Sequence, residues 1–467
     1  MATNLRIKNT MKSIAAQAIN TPARVIFVTL FCLNSAFAAL PIENWTQPSG
    51  AQVFLVQSPA IAMVDVQIDF DAGSRRDPAD KAGLASVTAM MLSKGVKAYP
   101  GIDNSHMKIP SRPAMDENQL SEAWADLGAS FSAGAGADRI SMSLRSLTYP
   151  DLLARAVDLA ALQIGQPAWP NAVWQRERER INASIKEAYT RPATLAGRAF
   201  NQAVYGAHPY GFETTETSLA DIGIHDMQAH YKELVLPCRA KVSIVGAVTK
   251  PQADALVAKL LGWLPKSECS LLPAVREVEP LKQAEDKRIT FESAQAHVLI
   301  GQPGYKRDDP DFFALLVGNQ ILGGGGFTSR LTNEVREKRG LTYGVYSGFQ
   351  PGSHAGAFTL GLQTRPDQAA QAVQVSKDVL AKFVAEGPTE AELQAAKDNL
   401  IGGFALRIDS NRKLLDNVAN IAWNKLPLTY LDVWTQQIDK ITTTQIKAAF
   451  QRKLQPERMV TVVLGGV

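Results

Sequence analysis

The feature that most constrains the fold of this chain is an internal duplication. Near the start of each half, a strand pattern leads into a Gly…Arg-Asp-Pro segment and then an apolar helical run. The two copies of the segment, residues 73–78 and 304–310, lie about 231 residues apart. The ends of the halves match as well, with Tyr231 and Phe450 placed 219 residues apart. A period this long indicates two similar domains and excludes a solenoid of short repeats.

Both halves alternate short strands with longer helical stretches. Residues 64–70 and 298–300 have strand patterns, and residues 84–92 and 312–322 are apolar helical runs. This order predicts an α+β fold with two homologous domains, each an antiparallel-rich sheet with helices packed on it.

Proline and charge mark the joint between the halves. They favour an extended, solvated connection, which we place at 265–286. The first domain would then span 39–264 and the second 287–467.

The N-terminus has the pattern of a secretory signal peptide. A basic leader without acidic residues precedes an apolar run at 25–33 and the small-residue site Ala36-Phe37-Ala38. An N-terminal membrane anchor is the alternative, but the run is shorter than the ~20 apolar residues that a span needs. We therefore expect cleavage after Ala38 and a periplasmic or secreted protein without stable membrane insertion.

Charge gives little indication of a partner. The chain has 49 basic and 45 acidic side chains and a formal net charge of +4. Such a small surplus gives no reason to expect nucleic acid as a ligand.

Signal removal would leave two of the three cysteines, Cys238 and Cys269. They either form a disulfide in an oxidising compartment or remain separate buried thiols. Separate thiols are the preferred interpretation from the sequence.

The strongest motif lies in the second half, where four consecutive glycines interrupt the chain: Gly323, Gly324, Gly325 and Gly326. Thr328 or Ser329 can cap a helix that follows, and Gly340 suits a left-handed C-terminal cap. Arg336 would lie on the last helical turns and Tyr343 on a strand just after. The reversal at Gly340 would bring the two side chains to one place.

Taken alone, this pattern favours a solvated helix face over a site. A phosphate-binding loop is disfavoured, because no Gly-Lys-Ser/Thr follows the glycines.

Together, these segments resemble the pitrilysin/insulinase family of zinc metallopeptidases, the inverzincins. More narrowly, the chain is similar to the short-subunit branch that includes the mitochondrial processing peptidase. The resemblance covers nearly all of the mature chain, including residues 72–78 and 208–211. It implies a processing-peptidase-like fold paired with a second subunit around a chamber. It also implies that Arg336 and Tyr343 contact substrate, and that the glycine loop lets a peptide approach the backbone closely.

Active members of that family carry a His-x-x-Glu-His motif. Its two histidines share a Zn²⁺, and the glutamate takes a proton from the metal-bound water. Here the histidine positions hold Ser86 and Met90, and the glutamate position holds Ala89. A hydroxyl and a thioether are poor zinc ligands, and alanine cannot act as a base. The third ligand would lie in the charged helix at 176–187, where Glu187 is the nearest candidate.

The leading hypothesis is a non-metal-binding subunit of a heterodimeric zinc metallopeptidase, inactive alone. A homologous partner would hold the zinc and the general base, while Arg336 and Tyr343 of this chain would act on a peptide or unfolded polypeptide. Two alternatives stay open: an inert scaffold or binding protein of the same fold, and an active homodimer with an unrecognised metal site. The polar stretch at 99–113 looks like an insertion relative to the family, and the sequence assigns it no role.

Overall fold

The computed structural model describes residues 41–99, 101–104, 107–109, 111–266 and 268–466. The expected signal peptide at 1–38 and part of the 99–113 insertion therefore lie outside the described residues. Residues 39–467 cluster as one unit.

The first half contains ten strands and eight α-helices among the described residues. The strands are β1 (Glu43–Thr46), β2 (Gln52–Gln57), β3 (Met63–Phe70), β4 (Gly95–Val96), β5 (Ile102–Asn104), β6 (Met107–Ile109), β7 (Met115–Asp116), β8 (Ser130–Ala135), β9 (Ile140–Leu147) and β10 (Lys241–Gly246). The helices are α1 (Leu84–Met91), α2 (Glu117–Asp126), α3 (Pro150–Gly165), α4 (Asn171–Ala188), α5 (Pro192–Tyr205), α6 (Glu216–Ala220), α7 (Ile224–Leu234) and α8 (Lys250–Leu260).

The second half contains five strands and six α-helices among the described residues. The strands are β11 (Glu285–Ile289), β12 (Ala296–Pro303), β13 (Val345–Phe349), β14 (Ala357–Thr364) and β15 (Val460–Leu464). The helices are α9 (Phe312–Asn319), α10 (Ala369–Glu386), α11 (Glu390–Gly402), α12 (Asn411–Trp423), α13 (Tyr430–Asp439) and α14 (Thr443–Lys453). Two π-helical segments, Gln320–Gly324 and Thr332–Glu337, interrupt this pattern.

The two halves build sheets of matching strand order, with one additional edge strand, β1, in the first. The first sheet runs β1-β2-β10-β3-β9-β8, and the second runs β11-β15-β12-β14-β13. In each sheet one parallel pair (β2 with β10, β11 with β15) is followed by antiparallel pairs. The last strand of each half is thus an inner strand of its sheet. The predicted α+β class with two homologous, antiparallel-rich sheets is confirmed.

The halves pack by exchanging helices. The apolar side chains of α5, among them Phe200, form a cluster with Val460, Val462 and Leu464 of β15 in the other half. In the opposite direction, α12 contributes a cluster of leucines and Val418 that packs against strands β2 and β10. Each sheet therefore has an apolar face that is covered by a helix of the other half.

Polar contacts fix the second of these exchanges. The ammonium of Lys241, on β10, donates to the carbonyl oxygens of Ala422 and Trp423 at 3.0 and 2.9 Å. These carbonyls end helix α12, where a cation offsets the unpaired carbonyls and the negative end of the helix dipole.

The His-Pro-Tyr-Gly segment and the first Gly…Arg-Asp-Pro segment join the halves. Asp138 forms an ion pair with Arg75 at 3.1 Å and accepts from the Tyr210 hydroxyl at 2.6 Å and from the Ser353 backbone at 2.9 Å. His208 is buried, with Nε2 3.0 Å from the Arg276 carbonyl oxygen. These residues hold the fold together and leave His208 in a structural position.

The connection between the halves is fastened covalently at its start. Cys238 and Cys269 form a disulfide, so the preference for two separate thiols was wrong. The sequence pattern could not show it, because only the fold brings the loop before β10 next to the beginning of the connection. Residues 268–281 contain no helix or strand. Within the described ranges, no helix is both long and apolar enough to cross a membrane.

Candidate functional site

The four-glycine segment packs tightly against its own surroundings. A Cβ atom added to Gly323 would lie 2.5 Å from the backbone nitrogen of Ser347, on strand β13. Added to Gly324 or Gly325, it would meet the Asn319 side chain at 2.7 Å or the Gln320 carbonyl oxygen at 2.5 Å. Three of the glycines are therefore needed for close packing of the π-helical segment Gln320–Gly324.

The fourth glycine has a different role. Gly326 takes a φ of +58°, and a Cβ atom there would meet nothing within 4 Å. A positive φ favours glycine, so this residue turns the chain outward at the end of the loop. The Thr328 hydroxyl donates to the Gly325 carbonyl and the Ser329 hydroxyl to the Gly326 carbonyl, at 3.0 and 2.8 Å. The loop presents Phe327 at its tip, with the side chain 74% exposed.

Arg336 lies in the π-helical segment Thr332–Glu337 that follows. Ser329 begins this segment, since its carbonyl accepts from the Asn333 backbone at 3.0 Å. Gly340 ends it with a φ of +60°, and its N–H donates to the Arg336 carbonyl at 2.8 Å. The guanidinium of Arg336 lies over the ring of Phe327, with its central carbon 4.7 Å from the ring centroid.

Tyr343 lies outside any strand, because β13 begins only at Val345. The prediction that it lies on a strand was wrong, and the reason is the hydrogen bonding of the preceding residue, Thr342. The Thr342 hydroxyl donates to the carbonyl oxygens of Gly344 and Gln363, at 2.8 and 2.6 Å. A side-chain hydroxyl thus takes the place of ladder hydrogen bonds here. The Tyr343 side chain points outward and is 88% exposed.

The structure brings Arg336 and Tyr343 together. Both line one depression of about 380 Å³, whose other walls include Gln295, Thr342 and Gln363. On its other side, Tyr343 lines a second cavity of about 610 Å³. The second cavity is bounded by small residues of α5 and by an exposed tyrosine, Tyr346, which sequence reasoning missed.

Two exposed aromatic residues near this site were not identified from the sequence. Phe327 follows the last glycine directly, so an aromatic side chain at the tip of a glycine loop was an available signal. Tyr346 had no such signal. Its ring lies across Gly361 of the neighbouring strand, where an added Cβ would meet ring atoms at 2.6 Å. Identifying Tyr346 as a site residue would therefore have required the pairing of the two strands.

The degenerate metal motif lies on α1. Ser86 is exposed, Ala89 is buried, and Met90 is partly buried, with its sulfur 3.9 Å from a guanidinium nitrogen of Arg180. Ser86 and Met90 occupy the same face of the helix, as residues four apart do. Their oxygen and thioether sulfur are poor zinc donors, so the residues present do not fit the metal of the family.

In helix α4, Glu177 rather than Glu187 is linked to the degenerate motif, because its partner Arg180 also contacts the Met90 sulfur. Glu177 is buried and lies within 3.0 Å of basic nitrogens of Lys94, Arg176 and Arg180. Burial raises the pKa of this carboxyl, but hydrogen bonds from the three cations outweigh that effect and lower the pKa to about 2. Glu187 is exposed and pairs with Arg191.

Basic side chains therefore neutralise the Glu177 carboxylate. Among the residues that the structure describes, no group of three or more histidine, cysteine, aspartate and glutamate side chains is placed to hold a metal ion.

Comparison with known proteins agrees with this geometry. A family model described as the inactive domain of M16 peptidases matches residues 221–400. An uncharacterized zinc protease of Mycobacterium leprae is 28% identical over 90% of this chain and 91% of its own length. A Helicobacter pylori protein named a non-peptidase homolog is 22% identical over 84% of this chain and 87% of its own.

A solved structure gives the clearest relationship. The chain is 32% identical to a peptidase M16 inactive domain from Pseudomonas fluorescens, with a TM-score of 0.83. The match covers 92% of this chain and 98% of that one. The chain therefore belongs to the M16 peptidase family, and both the matching family model and this solved structure are described as its inactive domain.

Proposed function

We propose that this chain is the non-metal-binding subunit of a two-part peptidase and lends Arg336 and Tyr343 to the active site of a zinc-bearing partner. The observation that carries the proposal is the pairing of these two side chains in one depression. The Tyr343 hydroxyl has no hydrogen-bond partner among the described residues, and the side chain is 88% exposed. An aromatic side chain held in solvent beside a cation is suited to contact another molecule.

The two residues supply complementary chemistry. The Tyr343 hydroxyl can donate to a peptide carbonyl oxygen as negative charge develops on it during hydrolysis. The Arg336 guanidinium can hold a second carbonyl or a carboxylate of the same polypeptide. The partner would hold the zinc and activate its water, which this chain cannot do with Ser86, Ala89 and Met90 at the motif positions.

The substrate class follows from the shape of the site. The depression beside Arg336 and the larger cavity beside Tyr343 form two neighbouring spaces on one surface. Two adjacent spaces that share Gln295, Tyr343 and Gln363 as walls suit consecutive side chains of an extended polypeptide. We therefore propose peptides or unfolded segments as substrates, with the glycine loop at one side of the path.

The compartment is part of the proposal. The Cys238–Cys269 disulfide supports a location where disulfides persist, such as the periplasm or the extracellular space. The basic leader and the Ala-x-Ala site at 36–38 support export by signal-peptide cleavage.

The test is reconstitution with a zinc-bearing M16 chain from the same genome. Each chain alone should be nearly inactive on an unstructured fluorogenic peptide, and the mixture active. Tyr343→Phe should lower kcat by roughly 10²–10³, as expected for loss of one oxyanion donor. Arg336→Ala should raise KM in addition to any loss in kcat, because it removes a group that holds the substrate.

Matched variants control for general surface effects. Tyr149→Phe removes the hydroxyl of an exposed tyrosine that lines neither cavity, and Arg339→Ala removes an arginine that is paired with Glu334. Both should leave the kinetics of the mixture unchanged, and gel filtration should show normal pairing in every case. Full activity of a correctly paired Tyr343→Phe, Arg336→Ala double variant would refute the proposal.

That same outcome would favour the second candidate, an inert scaffold or binding protein. The name of the Helicobacter pylori relative, a non-peptidase homolog, is the observation that keeps this candidate open.

A further inference from the structure

Exposed aromatic side chains concentrate around the proposed site. Seven large apolar side chains are strongly exposed in the described part of the chain, and three of them, Phe327, Tyr343 and Tyr346, fall within twenty residues of one another. The two tyrosines have hydroxyls that water can satisfy. Phe327 has no polar atom, yet its side chain is 74% exposed. Its position therefore needs an explanation other than burial.

The backbone is built to hold this ring in place. Gly326, with a φ of +58°, turns the chain outward immediately before it. The hydroxyls of Thr328 and Ser329 then fix the turn by donating to the carbonyl oxygens of Gly325 and Gly326. The backbone turn that carries the Phe327 ring is thus held by two side-chain hydrogen bonds.

The Phe327 ring contacts the Arg336 guanidinium. The distance from the guanidinium carbon to the ring centroid is 4.7 Å, within the range of a cation–π contact. The ion-pair neighbour of Arg336 is the adjacent Glu337, whose carboxylate is half-exposed and 3.4 Å from Nε. A pair so exposed is screened by water and restrains the side chain weakly.

We propose that Phe327 is a positioning residue for Arg336, and that the outward turn at Gly326 serves to place its ring under the guanidinium. This inference deepens the proposed function, since it concerns the same site. Stacking on a ring face occupies none of the guanidinium N–H groups, which number five. A carboxylate in the place of Phe327 would take two of those donors and cancel the charge. The ring therefore orients Arg336 while leaving its donors free for a polypeptide carbonyl or carboxylate.

The first experiment uses the chain alone and needs no partner. Phenylglyoxal modification of Arg336 is followed by mass spectrometry of its peptide in the wild type, Phe327→Leu and Phe327→Tyr. Loss of one exposed cation–π contact should raise the rate of modification of Arg336 about two- to fivefold in Phe327→Leu. Phe327→Tyr retains a ring and should restore the wild-type rate.

Two controls accompany this measurement. Arg339, which pairs with Glu334, reports in the same digests and should react at one rate in all variants. Ile61→Ala removes a side chain of similar exposure in the turn between β2 and β3 and should not change Arg336. Leucine fills nearly the volume of phenylalanine, so a purely space-filling role would give wild-type rates in Phe327→Leu. Equal rates in the leucine and tyrosine variants would overturn the proposal.

The second experiment uses the reconstituted pair. Phe327→Leu should raise KM several-fold and leave kcat nearly unchanged, because Tyr343 is untouched, and Phe327→Tyr should reverse the effect. If the labelling result holds but the activity of the mixture does not depend on Arg336, the positioning role stands and the proposed function fails. If kcat falls as much as kcat/KM in Phe327→Leu, the positioning role is refuted.

Discussion

The disulfide between Cys238 and Cys269 should stabilise the fold by an amount that can be measured. It ties the loop before β10 to the start of the connection between the halves. The change to make is Cys238→Ser with Cys269→Ser, in a chain that begins at residue 39 so that Cys32 is absent. Nothing else in the covalent structure is altered.

The expected cost follows from the length of the loop that the bond closes. The two cysteines are separated by 31 residues, and the chain-entropy relation then gives about 3.7 kcal/mol at 25 °C. Unfolding entropy of about 2.1 cal/mol/K per residue gives roughly 0.9 kcal/mol per degree for a chain of this size. The variant should therefore melt about 4 °C lower than the oxidised wild type.

The assay is differential scanning fluorimetry or calorimetry with and without reductant. Dithiothreitol should lower the Tm of the wild type by the same amount and leave the serine variant unchanged. Thiol titration of the denatured, oxidised wild type should find no free thiol. Two free thiols in protein recovered from an oxidising compartment, or a wild-type Tm indifferent to reductant, would show that the bond does not form or does not stabilise the fold.

Three further predictions concern the stability of the fold. Gly323→Ala should lower the free energy of unfolding by about 1–3 kcal/mol in denaturant titration, because its Cβ would meet strand backbone; Gly348→Ala, where the space is open, should not. Glu177→Gln should cost about 3 kcal/mol at pH 7, since its pKa is lowered to about 2 in the fold; the difference should vanish as pH falls from 4.5 through 2. Burial raises the pKa of Asp77 to about 7, against opposing hydrogen bonds from backbone N–H groups. The protonated form is therefore favoured by folding, and wild-type stability should fall between pH 4 and 7 relative to Asp77→Asn. A flat difference across that range would contradict the Asp77 assignment.

Much of the architecture was predictable because its signals are local and repeat. The alternation at 64–70 marks β3, and the apolar run at 84–92 marks α1, as the period of each element requires. The 219-residue spacing between the ends of the halves predicted two sheets of one design. Their shared strand order confirms it.

The features that sequence reasoning missed depend on contacts between distant residues. Tyr343 leaves the strand pattern because the Thr342 hydroxyl binds the carbonyl of Gln363, twenty-one residues away. Glu177 is linked to the degenerate motif through Arg180, which also contacts the Met90 sulfur ninety residues earlier in the chain. The disulfide and the exchanged helices also depend on contacts between distant residues. The hydrophobic periodicity of a sequence does not indicate which surfaces will pack together.

The exchange of helices also means that α5 is synthesised well before the strand that covers it. Phe200 on α5 packs against β15, which begins at Val460. About 260 residues separate the two, so at about 5–20 residues per second β15 follows α5 by roughly 13–50 s. During that interval the apolar face of α5 is uncovered, and the second sheet lacks the strand that lies between β11 and β12. The apolar face of α5 is therefore a surface that a chaperone could bind while the last strand is still missing.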